Sequence, residues 1–132
     1  FKEISINDLQ FNPFDKIASQ WMLISAGDEK AFNTMTQAGA RGVIWGCPAA
    51  TVYIRQSRYT KEFVDKNDTF TISFYDKKYR DALNICGTVS GRDCDKISKA
   101  NLTPYFTDGS VAFEEAEMIM VCKKIYEDFM PK

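Results

Sequence analysis

Two arginines and two hydroxyl side chains lie close together in the stretch Arg55–Thr60, which reads Arg-Gln-Ser-Arg-Tyr-Thr. An alternating strand pattern precedes this stretch and a helical pattern follows it, so these side chains should surround the start of a helix. Helix starts leave backbone N–H groups unpaired and carry a partial positive charge, and arginine adds fork-shaped hydrogen bonds to phosphate. The stretch therefore predicts an anion site. The alternative is a solvent-exposed strand end followed by a Ser or Thr helix cap.

Two further clusters of polar residues lie elsewhere in the chain. The first, Asn33–Thr36, precedes a loop of small residues that would let a flat ring approach backbone N–H and C=O groups. The second, Ser90–Lys96, is a glycine turn that leads into a helix, with Arg92 and Lys96 four residues apart on one face. Each has a structural alternative: a strand end capped by Asn and Thr in the first cluster, and a capped surface helix with a local charge pair in the second.

Composition excludes several classes of site. With 17 basic and 18 acidic residues among 132, the net charge is −1, which indicates no general attraction to nucleic acid or to a membrane surface. The chain contains no histidine, so Ser-His-Asp and Cys-His catalysis are excluded within it. The four cysteines are far apart and form no C-x-x-C pair, so no metal site is predicted. Reduced thiols in a cytoplasmic protein are the prediction, with a disulfide as the alternative.

Hydrophobic patterning predicts that strands outnumber helices in a single domain. Strands are predicted at residues 21–26, 31–36, 49–55, 69–75 and 110–126, a small-residue loop at 37–42, and helices at 60–66, 77–86 and 93–100. Gly87 is predicted to end the second helix, and Asp93 to cap the third. Because most neighbouring strands look antiparallel, the pattern favours a closed or half-closed barrel with inserted helices over a doubly wound sheet.

Together, the three polar clusters resemble motifs of a known family. Asn33–Thr36, Ile54–Phe63 and Cys86–Lys96 are similar to the N-T-M-T-x-x-W, R-P-x-R-Y-T-x-E-F and G-T-x-S-G-R-D-x-D-K motifs of the flavin reductase-like FMN-binding split-barrel family, especially its flavoredoxin branch. The resemblance runs from Trp21 to Tyr126. It implies a mainly β fold with inserted helices, a six-stranded antiparallel split β-barrel, formed by residues 1–132 as a single FMN-binding domain.

The resemblance also implies a cofactor and an activity. The protein would be a cytoplasmic, homodimeric flavin reductase-like or flavoredoxin-like oxidoreductase or electron carrier, with FMN reduced by NAD(P)H or by a protein donor. The flavin, rather than a catalytic side chain, would carry the chemistry. The implied FMN-binding residues are Asn33, Thr34, Met35 and Thr36 along the ring and ribityl chain, Arg55, Ser57, Arg58, Tyr59 and Thr60 at the phosphate, and Ser90, Arg92 and Lys96 closing over the ring or phosphate.

The sequence departs from the family pattern at two places. Gly39 stands where the first motif commonly carries Trp, so the alternative function is a non-catalytic flavin- or nucleotide-binding module with a decayed ring site. Family members also usually continue past the position of Lys132 with a closing strand that contains histidine. Either the sequence lacks this closing segment, or the barrel closes in a different way.

Overall fold

The computed structural model describes residues 1–5, 8–11, 16, 20–37, 40–44 and 47–130, with the backbone alone for 40–44 and 47. The strands are β1 (Met22–Gly27), β2 (Phe32–Gln37), β3 (Ala40–Ile44), β4 (Cys47–Val52), β5 (Thr69–Phe74), β6 (Pro104–Thr107), β7 (Ser110–Phe113) and β8 (Met118–Lys123). The helices are α1 (Tyr59–Lys66), α2 (Arg80–Thr88) and α3 (Lys96–Lys99), and a 3-10 turn at Lys77–Tyr79 leads into α2.

A four-stranded antiparallel sheet with the order β2-β1-β5-β8 lies at the centre of the described fold. Strands β3 and β4 form one separate hairpin, and β6 and β7 form another. The second hairpin packs across the central sheet, where the Thr71 hydroxyl of β5 donates to the Val111 carbonyl of β7 at 2.6 Å. Within the described residues β2 pairs with β1 alone, so its outer edge has backbone N–H and C=O groups without a strand partner.

Strand β1 is buried on both faces, which explains its continuous apolar run in place of an alternating pattern. Met22 and Ile24 point into a cluster completed by Val64 of α1, whereas Leu23 points to the opposite side, against Leu83 of α2. The two helices therefore cover opposite faces of the sheet. This places the start of α1 beside β2 on one of those faces.

The predicted mainly β fold with inserted helices and antiparallel pairing is confirmed. The described residues form eight strands, whereas the patterning predicts five and the resemblance implies six. The patterning misses the short strands β3 and β6, and the strand predicted at 110–126 is two strands. Residues 114–117 form a turn between β7 and β8 in which the Ala116 amide donates to the Phe113 carbonyl at 3.1 Å. The loop predicted at 37–42 was also wrong in part, since Gln37 belongs to β2 and β3 begins at Ala40.

Two helix boundaries differ from the prediction for local reasons. The helix α3 is four residues long, and its cap is Asp95, whose carboxylate accepts from the Ser98 amide at 3.2 Å, rather than Asp93. The helix α2 continues past Gly87 to Thr88, whose hydroxyl donates to the Asn84 carbonyl at 2.9 Å. The side-chain hydrogen bond of Asp95 caps the start of α3, and that of Thr88 lies within the last turn of α2.

Candidate functional site

Helix α1 begins beside the predicted anion site. Its N-cap, Arg58, has an extended backbone (φ −77°, ψ 135°), and no side chain caps the first turn. The Arg58 amide donates to the Arg55 carbonyl at 3.0 Å, which closes the preceding residues into a turn. The side chains of Arg55, Ser57 and Arg58 are exposed and make no hydrogen bond or ion pair within the described part of the chain. Two guanidinium groups and a hydroxyl are therefore available at a positive helix end.

Strand β2 is attached to this helix through a buried hydrogen bond. The Asn33 amide nitrogen donates to the Thr60 hydroxyl at 2.8 Å, and both side chains are buried. The Asn33–Thr36 cluster and the Arg55–Thr60 stretch thus lie side by side. The Thr60 hydroxyl, which was predicted at the phosphate, accepts the hydrogen bond that joins the strand to the helix.

The turn at residues 90–92 packs against both of these elements. A Cβ placed on Gly91 would lie 2.3 Å from the Asn33 side-chain oxygen and 3.2 Å from the Tyr59 ring, so only glycine permits this approach. The Arg92 guanidinium donates to the Ser57 carbonyl at 3.1 Å and to the Glu62 carboxylate at 2.8 Å. All three clusters predicted from the sequence therefore meet at the start of α1.

Within the first cluster, the threonine side chains hold β2 in place. The Thr34 hydroxyl lies 2.7 Å from the Ser25 hydroxyl and donates to the Ile24 carbonyl at 3.1 Å. The Thr36 hydroxyl donates to the Leu83 carbonyl of α2 at 2.6 Å. Met35 is half-buried and packs against the apolar cluster under α1. The polar groups that this cluster can offer a ligand are therefore mainly those of its backbone, along the outer edge of β2.

Lys96 is a buried cation near enough to Arg58 to be repelled by its charge. The residue is only 4 % exposed, and its ammonium donates to the carbonyls of Cys86 at 3.1 Å and Val89 at 3.3 Å. No described carboxylate forms an ion pair with it. Burial lowers the pKa of Lys96 from its ordinary value, and repulsion from the Arg58 guanidinium acts in the same direction. A bound anion near these two cations would relieve that repulsion.

The prediction that Arg92 and Lys96 share one helix face is wrong. Arg92 lies in the turn before α3 and is exposed, whereas Lys96 is the first residue of α3 and is buried. The Ser90 hydroxyl accepts from the Arg92 amide at 3.2 Å and so shapes this turn. Glu62, the partner of Arg92, was missed by the sequence prediction, because the two residues are 30 positions apart and no local pattern connects them.

The family of this chain follows from a comparison with models of known protein families. The model of the family described as "Flavin reductase like domain" matches residues 14–128. The chain belongs to this flavin reductase-like family. No curated protein matches the chain at a significant level.

Solved structures of similar fold carry related descriptions. Flavoredoxin from Methanosarcina acetivorans has a TM-score of 0.77 at 21 % identity. The aligned region covers 99 % of this chain and 68 % of the flavoredoxin chain. Flavoredoxin of Desulfovibrio vulgaris (Miyazaki F) has a TM-score of 0.76 at 22 % identity, with 97 % and 69 % covered. An FMN-binding domain of a flavin reductases-like enzyme from Shewanella baltica OS155 has a TM-score of 0.76 at 19 % identity, with 86 % and 62 % covered.

These matches confirm the family resemblance and the fold class of this flavin reductase-like chain. At such identities the structural likeness concerns the fold, and the chain spans 62 to 69 % of the length of these three structures. Among the described residues, no helix has the length and apolar character needed to cross a bilayer. Gly39, the position where the family motif commonly has Trp, lies outside the described residues.

Proposed function

We propose that this chain binds FMN and acts as a flavin reductase-like oxidoreductase or electron carrier. The observation that carries the proposal is the start of α1, where the side chains of Arg55, Ser57 and Arg58 have no described partner. A monoester phosphate is the group that suits such a site, because it accepts several charge-assisted hydrogen bonds at once. FMN has such a phosphate at one end, and riboflavin lacks it.

The donor set of this chain fits the rest of the cofactor as well. The outer edge of β2 offers backbone N–H and C=O groups without a strand partner among the described residues. These groups could form hydrogen bonds with the polar edge of the flavin ring. The Asn33–Thr60 hydrogen bond keeps that edge next to the phosphate-binding turn. Bound flavin would supply the electron transfer, and the residues of this chain would bind and orient it.

The roles of the chain's own residues follow from these contacts. Arg58 and Ser57 would hold the phosphate at the helix start, and Arg55 would add a second positive charge. Lys96, which is buried and has no described counter-ion, would raise the positive potential of the site. The threonines of β2 would keep the strand edge rigid, so that a ring is oriented before it binds.

The wider proposal includes a donor, an assembly and a location. NAD(P)H or a reduced protein would donate electrons, and two copies of this single FMN-binding domain would form a homodimer. Cys86, Cys94 and Cys122 are free thiols, and free thiols are typical of the reducing cytoplasm. This supports a cytoplasmic location.

The purified protein mixed with FMN should show a flavin absorbance band that stays with the protein through gel filtration. Its melting temperature should rise with FMN concentration, because a ligand that binds only the folded state adds about 2.7 kcal/mol at 100 times its Kd. Consumption of NADH or NADPH by the FMN-loaded protein then separates an oxidoreductase from a binding module that lacks turnover. A chain that neither retains the band nor gains thermal stability would overturn the proposal.

A further inference from the structure

Arg92 joins the turn before α3 to the start of α1 through three contacts. Its guanidinium donates to the Ser57 carbonyl at 3.1 Å and to Glu62 at 2.8 Å, and it stacks with its central carbon 4.8 Å from the Tyr59 ring centre. The Glu62 and Arg92 side chains are 50 % and 45 % exposed, so their ion pair alone contributes little to folding stability. The contact with a backbone carbonyl is the one that fixes local geometry.

The peptide group between Ser57 and Arg58 is held from both sides. Arg92 binds its carbonyl oxygen, and the Arg55 carbonyl accepts from its N–H, which belongs to Arg58. A peptide plane held at both ends restricts the backbone from which the two flanking side chains project. Those are the hydroxyl and the guanidinium that the proposed function assigns to the phosphate.

We infer that Arg92 is a positioning residue, which orients the phosphate-binding turn at Ser57–Arg58 and does not itself contact the phosphate. This inference rests on the proposed function for its binding readout. It differs from the role that the sequence resemblance implies, in which Arg92 closes over the ligand. The structure shows the guanidinium already engaged with a carbonyl, a carboxylate and a ring.

Lysine and methionine substitutions separate the two roles. A residue that contacts phosphate directly keeps part of its effect as lysine, because an ammonium also binds phosphate as a point charge. A residue that bridges a carbonyl and a carboxylate with a planar fork, and stacks on a ring, loses that geometry as lysine. We therefore expect Arg92→Lys and Arg92→Met to weaken FMN binding equally, by about tenfold, with riboflavin affinity changed less than about twofold.

Arg58 provides the matched comparison within the same site. Arg58→Lys should retain part of the FMN affinity that Arg58→Met loses, because Arg58 is the proposed direct contact. Arg92→Lys with an affinity close to that of the unchanged protein would overturn the positioning role. Lys99→Met, on the exposed side of α3, removes a cation without touching the turn and should change neither ligand's affinity.

A measurement without ligand keeps this inference separate from the proposed function. Amide hydrogen exchange at Arg58 should become faster in ligand-free Arg92→Met, since the turn that contains its hydrogen bond to Arg55 is released. Melting temperature should change by about 2 °C or less, because both side chains are half exposed. If the unchanged protein fails to bind FMN, the proposed function falls, and the exchange rate at Arg58 alone decides the inference. Unchanged exchange at that amide in Arg92→Met would contradict it.

Discussion

Replacing Arg58 by alanine should weaken FMN binding by about 10- to 100-fold while leaving riboflavin affinity nearly unchanged. Arg58 is the N-cap of α1, its guanidinium has no described partner, and FMN differs from riboflavin by the phosphate alone. A charge-assisted hydrogen bond to phosphate would therefore be lost from one ligand and not from the other. Fluorescence titration of both flavins measures the two dissociation constants.

Lys66→Ala is the control for the Arg58 variant. Lys66 is an exposed cation in the last turn of the same helix, so its removal changes the net charge by the same amount at the opposite end. We expect it to leave both affinities unchanged within about twofold, since exposed charges more than about 10 Å apart are largely screened at 0.1 M salt. Equal losses of FMN and riboflavin affinity in Arg58→Ala would contradict the phosphate assignment.

Replacing Lys96 by methionine should lower the free energy of unfolding by about 2 kcal/mol. Methionine matches the length of the stem but donates no hydrogen bond, so the carbonyls of Cys86 and Val89 would lose the ammonium that now binds both. Removing a buried charge recovers some desolvation energy, but two carbonyls that lose a charged donor are the larger effect. Urea unfolding of the ligand-free protein measures the change.

The same variant tests the role that the resemblance implies for Lys96 near the flavin. A cation close to the pyrimidine edge stabilises the anionic reduced flavin, so its loss should shift the midpoint potential to a more negative value. A 10- to 100-fold loss of preference for the reduced form corresponds to about 30 to 60 mV for a two-electron couple. Lys99→Met is the matched control, as an exposed lysine three positions along the same helix. An unchanged potential in Lys96→Met would limit Lys96 to its structural hydrogen bonds.

Much of the fold could be predicted because its signals are local. The alternation of Phe70, Ile72 and Phe74 identifies β5, and the hairpin of β1 and β2 follows from the turn at Asp28, whose carboxylate accepts from the Lys30 and Ala31 amides. The boundaries that failed depend on single hydrogen bonds, such as the one from the Ser98 amide to Asp95. Several residues can provide such a bond, so composition alone does not select one.

The candidate site was predictable as a set of residues and not as a set of contacts. Residue types and the family resemblance bring Asn33, Thr60 and Arg92 into one region, and the structure places them there. Asn33 and Thr60 are 27 positions apart, and Arg92 and Ser57 are 35 apart. No sequence pattern specifies contacts at such separations. For the same reason the burial of Lys96, which the surface-helix alternative would leave exposed, required the structure.

The most direct test of the central claim is a crystal structure of this protein grown with FMN. We predict that the phosphate lies at the start of α1, within hydrogen-bond distance of the Arg58 guanidinium and the Ser57 hydroxyl. FMN bound with its phosphate elsewhere, or a Phe63 side chain occupying that position, would contradict the account.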